Sequence, residues 1–157
     1  DVDKYIDNDK LYKAIDIMKK ANINIIGNFI FGLPEDNMDS MQDTFSLAVD
    51  LNCEFANFYS AMAYPGSKLY LQAVDAKLPL PKVWSGYSQH AKDTLPLPTK
   101  YISGEEVLRF RDYAWKTYFT NPRYLKLIME KFGQKTLDDI KKMTSHTLER
   151  QYNTIKY

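Results

Sequence analysis

One cysteine and two histidines in 157 residues leave little room for several kinds of chemistry. A single thiol, Cys53, excludes an internal disulfide framework and fits a reducing, cytoplasmic compartment. It also excludes, within this chain, a metal or iron–sulfur site built from several thiolates. Charge of one sign is missing too: 21 basic residues face 20 acidic ones, for a net +1. That balance gives no electrostatic reason to expect nucleic acid or a membrane surface as a partner. No apolar run approaches the roughly 18–20 residues that a membrane span needs, and no signal peptide opens the chain. The sequence begins Asp1-Val2-Asp3 rather than with Met, the start expected of a piece excised from something longer.

What is present is globular material. Hydrophobic residues make up 45% and aromatic residues 14%, with twelve Tyr and eight Phe, enough for one domain with a sizeable core. Leu11, Ala14, Ile15 and Met18 recur at helical spacing and predict an amphipathic helix over 9–21. Ile23 to Phe31 is short and almost continuously apolar, the pattern of a parallel-sheet strand covered on both faces, and Gly32-Leu33-Pro34 ends it. Asn37, with Ser40 three positions on, marks the start of a second helix with the stripe Met38, Met41, Phe45, Ala48 and Leu51. Phe55 to Tyr64 reads as a second strand closed by Pro65-Gly66, with a short helix over 67–76. Helix and strand alternating across short connections is the repeat of an α/β fold.

Residues 78–103 carry Pro79, Pro81, Pro96 and Pro98 among Trp84, Tyr87 and Tyr101, and read as a long irregular segment. Everything after it reads as helical. Ser103 and Glu106 form a capping box ahead of Val107, Phe110, Ala114 and Tyr118. Pro122 opens a helix with Leu125, Ile128, Met129 and Phe132, which Gly133 terminates. A last helix from Thr136 carries Leu137, Ile140 and Leu148. The expected organisation is thus α/β: a partial (β/α) barrel with two parallel strands and flanking helices in residues 1–77. A connecting segment, 78–103, leads to an all-helical C-terminal region, 104–157.

In parallel α/β barrels, ligands sit at the C-terminal ends of the strands. Asn28, Ile30 and Gly32 share one strand face, expected to line the interior, with Phe29 and Phe31 under the helices. Asn57 and Tyr59 are the matching interior candidates on the second strand. An Asn buried there needs hydrogen-bond partners, from a polar ligand, water or a backbone group across the sheet. His90, near Tyr87, Gln89 and Asp93, has no second ligand for a metal and is a substrate-contact candidate. Cys53 reads as a buried small hydrophobe and His146 as solvated surface.

Asn28-Phe29-Ile30-Phe31-Gly32-Leu33-Pro34 and Tyr64-Pro65-Gly66-Ser67 resemble the later part of the radical SAM barrel. The match is nearest in the cobalamin-binding subgroup, where N-F-I-x-G-L-P-G-E-T precedes P-Y-P-G-T-P-L-Y. The second element here reads Ala63-Tyr64-Pro65-Gly66-Ser67-Lys68-Leu69-Tyr70. Residues Leu97 to Ser103, with Phe110-Arg111, resemble the segment after the barrel in that subgroup, and the likeness covers most of residues 9–120. It implies that Asn28-x-Ile30-x-Gly32-x-x-Glu35 matches the family's Gly-x-Ile-x-Gly-x-x-Glu on the fifth strand, with Asn28 in place of the first glycine. By that resemblance Ile30 packs on the adenine of S-adenosylmethionine (SAM), and Gly32 lets the backbone approach. Either Glu35 or Asp36 holds the acidic position, and the loop with Tyr64, Pro65 and Gly66 lies near the adenine. Gly32-Leu33-Pro34 and Pro65-Gly66 also read as simple turn chemistry.

The implied cofactors are SAM, a [4Fe–4S] cluster and cobalamin. The family's Cys-x3-Cys-x2-Cys cluster motif and the subgroup's Asp-x-His-x-x-Gly cobalamin segment do not occur in this sequence. The resemblance therefore implies a C-terminal fragment, inert and cofactor-free alone, whose partner is the remainder of a parent performing radical methylation or rearrangement. Two other readings stand beside it: an α/β interaction module with purely structural turns, and part of a cobalamin-independent methylthiotransferase. Strands cut from a closed barrel also expose an edge and an apolar face, which invite self-association unless the C-terminal helices cover them.

Overall fold

The computed structural model describes residues 7–151, so the Asp1-Val2-Asp3 start and residues 152–157 lie outside the described residues. The elements run α1 (Asn8–Lys20), β1 (Ile26–Phe31), α2 (Met38–Leu51), β2 (Phe55–Ser60), α3 (Lys68–Asp75), α4 (Gly104–Thr120) and α5 (Pro122–Ser145). One 3-10 turn, Trp84–Tyr87, interrupts the irregular segment between α3 and α4. The fold is mixed α/β, a two-stranded parallel sheet flanked by helices, with a helical region after it.

Local chemistry places the helix starts. Asn37 and Ser40 form a reciprocal capping box on α2, and Ser103 and Glu106 form one on α4. Pro122 occupies the first turn of α5 behind the Asn121 cap. Gly133, with φ 80° and ψ −179°, breaks α5 where the sequence predicts a termination. The second half of α5 stops at Ser145, so Leu148 lies beyond the helix rather than on its stripe.

The strands pair from Ile26 opposite Phe55 to Phe31 opposite Ser60. Phe29, Phe31, Ala56 and Phe58 share one core with Phe45 of α2, Val107, Phe110 and Tyr118 of α4, and Ile128 of α5. The Phe58 ring is central, with centroids 5.4 Å from Phe29, 5.9 Å from Phe31 and 5.4 Å from Tyr118. The phenylalanines thus pack beneath helices, as their alternation predicts.

Four expectations need correction. β1 is covered on one face only: Ile26 is 58% and Ile30 48% exposed, because the described helices cover the opposite face. An apolar run is the same whether its second cover belongs to this chain or to another polypeptide. Asn28 is accordingly exposed rather than buried. Both strands are shorter than the apolar runs: β1 starts at Ile26 rather than Ile23, and β2 stops at Ser60 rather than Tyr64 because its partner ends at Phe31, whose carbonyl takes a last ladder bond from Ala61 N–H at 2.8 Å. Met38 and Met129 lie outside their helices' buried sets, each 43% exposed.

The two sheet edges differ. Phe55 N–H donates to Ile25 and Ala61 N–H to Phe31, so Phe55, Asn57 and Tyr59 face β1 with their peptide groups and Glu54, Phe58 and Ser60 face outward. Side chains take those outward groups. Tyr124 Oη donates to the Glu54 carbonyl at 3.2 Å, and Arg111 Nε donates to that of Phe58 at 2.8 Å. The Gln89 amide bonds both peptide groups of Ser60. On β1 the outward peptide groups of Ile26, Asn28 and Ile30 meet no partner among the described residues.

Candidate functional site

The end of β1 is built by a glycine and an aspartate. Gly32 has φ 79°, and a Cβ there would lie 2.4 Å from Val107 Cγ1, so only glycine fits under α4. Asp36 ties off the turn beyond it. Its N–H donates to the Leu33 carbonyl at 2.8 Å, its Oδ2 accepts Leu33 N–H at 2.9 Å, and its Oδ1 accepts Ser40 Oγ–H at 2.8 Å. Both carboxylate oxygens therefore hold the loop and the first turn of α2. Glu35 is exposed, its carboxylate 3.5 Å from Lys100 Nζ. Of the two acids, Glu35 is the one a ligand can reach.

Asn28 and Asn57 face each other in register, and Asn57 Nδ2 donates to Asn28 Oδ1 at 3.0 Å. Ile30 lies opposite Tyr59, so the open sheet face brings Asn28, Ile30, Asn57 and Tyr59 together. After β2, the exposed Tyr64 stacks on Tyr87 with centroids 5.9 Å apart and donates its hydroxyl to the Tyr87 carbonyl at 3.3 Å. Gly66, with φ 88°, supplies the left-handed turn beside the exposed Pro65.

The structure does not bring His90 to this group. His90 lines a separate cavity of about 670 Å³ between α4 and the segment after α5, and the exposed His146 lines it too. The guanidinium groups of Arg111 and Arg150, both with side chains 4% exposed, converge there on Asp112. Arg111 Nη1 lies 2.9 Å from Asp112 Oδ1, while Arg150 reaches Oδ2 through Nε and Oδ1 through Nη2, each at 2.8 Å. Burial, then the nearby charges of Arg111 and Arg150, hold the His90 pKa below its usual value. Sequence reasoning missed this cluster. Arg111 carried a faint signal, a charge at a buried α4 position next to Phe110; Arg150 lies outside any periodic element and carried none.

Cys53 is 1% exposed, and burial pushes its thiol pKa up, as suits a packed hydrophobe. Among the described residues no group of three His, Cys, Asp or Glu is arranged to hold a metal ion. An iron–sulfur cluster therefore does not fit the residues present. No described helix is long and apolar enough to cross a membrane.

An open parallel strand pair with loops gathered at its C-terminal end defines a piece of an α/β wall rather than a closed site. The chain is 27% identical over 121 residues to a Pyrococcus horikoshii protein described as an uncharacterized methyltransferase, a match spanning 76% of this chain and 26% of that protein. The chain thus spans about a quarter of the length of that relative. No family model matches the chain, and no solved structure matches it.

Proposed function

We propose that this chain is the late-barrel wall of a radical SAM methyltransferase, contributing β1, β2 and their C-terminal loops to the SAM site. The observation that carries the reading is the open face of the β1 end. Ile30, next to an obligatory glycine at 32 and an accessible carboxylate at 35, fits the family's strand-end pattern, and its side chain stands on a sheet face left exposed by the described residues. Similarity to a longer methyltransferase, of which the match covers 26%, supports the same view. In this reading Ile30 offers apolar surface to the adenine, Gly32 admits close backbone approach, and Glu35 accepts hydrogen bonds at the rim. Tyr64 shields the adenine edge from the neighbouring loop. The cluster thiolates belong to residues outside this chain, and cobalamin is assigned no residue within it.

A second reading, an α/β interaction module, draws on two facts: Val107 already explains Gly32, and Asp36 is consumed by its own turn. One experiment separates the two. The full reading frame containing this chain is purified without oxygen, reconstituted with iron and sulfide, and supplied with reductant and SAM. The enzyme reading expects 5′-deoxyadenosine to form. A protein that binds no iron–sulfur cluster and releases no 5′-deoxyadenosine overturns it. Corrinoid retained by the same preparation separates the cobalamin-dependent form from a methylthiotransferase.

A further inference from the structure

We propose that the cavity between α4 and the segment after α5 binds a small apolar carboxylate, its head on Arg111 and its body along Leu108, Trp115, Met143 and Leu148. The cavity holds about 670 Å³, the size of sites that take small organic molecules. Its charge is unbalanced at the deep end. Two guanidinium groups share the single Asp112 carboxylate, and with Lys116 also in the lining the basic side chains there outnumber the acidic ones among the described residues. His90 does not add to that charge at neutral pH, because burial and the two arginines favour its neutral form.

The two arginines are not equivalent. Arg150 is fully committed: Nε and Nη2 to Asp112, Nη2 also to the Gln89 carbonyl at 2.8 Å, and Nη1 to the Ala91 carbonyl at 2.9 Å and Thr94 Oγ1 at 3.0 Å. Arg111 spends Nε on Phe58 and Nη1 on Asp112, while its Nη2 has no partner among the described residues. A guanidinium donor beside the apolar Leu108, Trp115, Met143 and Leu148 selects a planar anion with a hydrocarbon body. The apolar stretch Leu108, Trp115, Met143 and Leu148 beside that donor matches a carboxylate on a hydrocarbon body better than a phosphate. The site shares no residue with the β1 end, so it stands or falls apart from the SAM reading.

The test is an NMR titration of the isotope-labelled 157-residue chain with 4-phenylbutyrate and, separately, with its neutral amide. The acid is expected to shift the Trp115 indole and the Leu148 and Met143 methyl signals saturably, and to bind about tenfold or more tighter than the amide. Because Arg111 also closes the β2 edge, the informative variant is Leu148→Trp on the half-buried tail segment. Filling the apolar half should weaken the acid about tenfold with the thermal midpoint unchanged. Equal binding of acid and amide, shifts confined to Ile30 and Tyr59, or no saturable shift at any soluble concentration overturns the proposal.

Discussion

Gln89 and Ser60 form a side-chain imitation of strand pairing: Gln89 Oε1 accepts Ser60 N–H at 2.9 Å and Nε2 donates to the Ser60 carbonyl at 3.1 Å. Both residues are buried, at 7% and 3% exposure, so the amide stands where a third strand's peptide group would be. With Arg111 and Tyr124 it finishes β2, while β1 stays unfinished. The sheet therefore has one closed edge and one edge suited to continuation. Gln89→Leu leaves two backbone groups buried and unpaired, at about 1–3 kcal/mol each. Urea denaturation should show at least about 2 kcal/mol lost. An unchanged midpoint would mean that those groups are not sequestered by Gln89.

The open side should make the isolated chain self-associate. Ile26, Ile30, Phe55 and Tyr59 are 37–58% exposed on one face beside the β1 edge, which no described residue pairs. Light scattering should show mass rising with concentration, and Ile30→Lys should return a monomer of undiminished stability, since a lysine on an exposed strand blocks pairing. A wild-type chain that stays monomeric throughout, like the variant, would show that the face is tolerated in water.

Gly32→Ala should be among the costlier single-methyl additions. Left-handed backbone costs a non-glycine residue roughly 1–2 kcal/mol, and the added carbon meets Val107 as well. Pairing it with Val107→Ala should recover part of the loss, giving a favourable coupling energy of about 1 kcal/mol in the double-mutant cycle. Strict additivity would mean that the close approach relaxes freely.

Glu54 supplies an acid-sensitive element. It is 1% exposed, and its carboxylate accepts Ile25 N–H at 2.9 Å and Lys131 Nζ at 2.6 Å. Burial alone would raise its pKa; the Lys131 and Ile25 hydrogen bonds outweigh burial and hold it below the usual carboxylate range. The folded state then binds the proton more weakly than the unfolded one. This contribution is fully present above the unfolded pKa of about 4.3 and is lost as pH falls through the lower folded value. Glu54→Gln should cost about 2 kcal/mol at neutral pH, and its stability should fall less steeply on acidification. Parallel acid limbs for the two proteins would assign the sensitivity elsewhere.

The sequence was most legible where local chemistry decides. Asn37 and Ser103 carry their own partners three residues on, Pro122 and Gly133 punctuate α5, and the Phe29/Phe31 alternation gives the buried face. The choice between Glu35 and Asp36 was open in sequence because both are acids in one loop; only the hydrogen bonds to Leu33 and Ser40 show which is spent. Contacts between distant segments left no periodic trace. Gln89, Arg111 and Arg150 act through residues 29, 53 and 38 positions away respectively, so neither the closed β2 edge nor the cavity beside it was visible.

The central claim is that the β1 end lines a SAM site completed by polypeptide outside this chain. The most direct measurement is SAM cleavage by the full-length protein carrying Ile30→Asp, with iron content measured in parallel. A carboxylate set against the adenine should lower 5′-deoxyadenosine formation about 100-fold while iron and sulfide per protein stay at the wild-type value. Wild-type cleavage by the Ile30→Asp protein would contradict the placement of SAM against this strand.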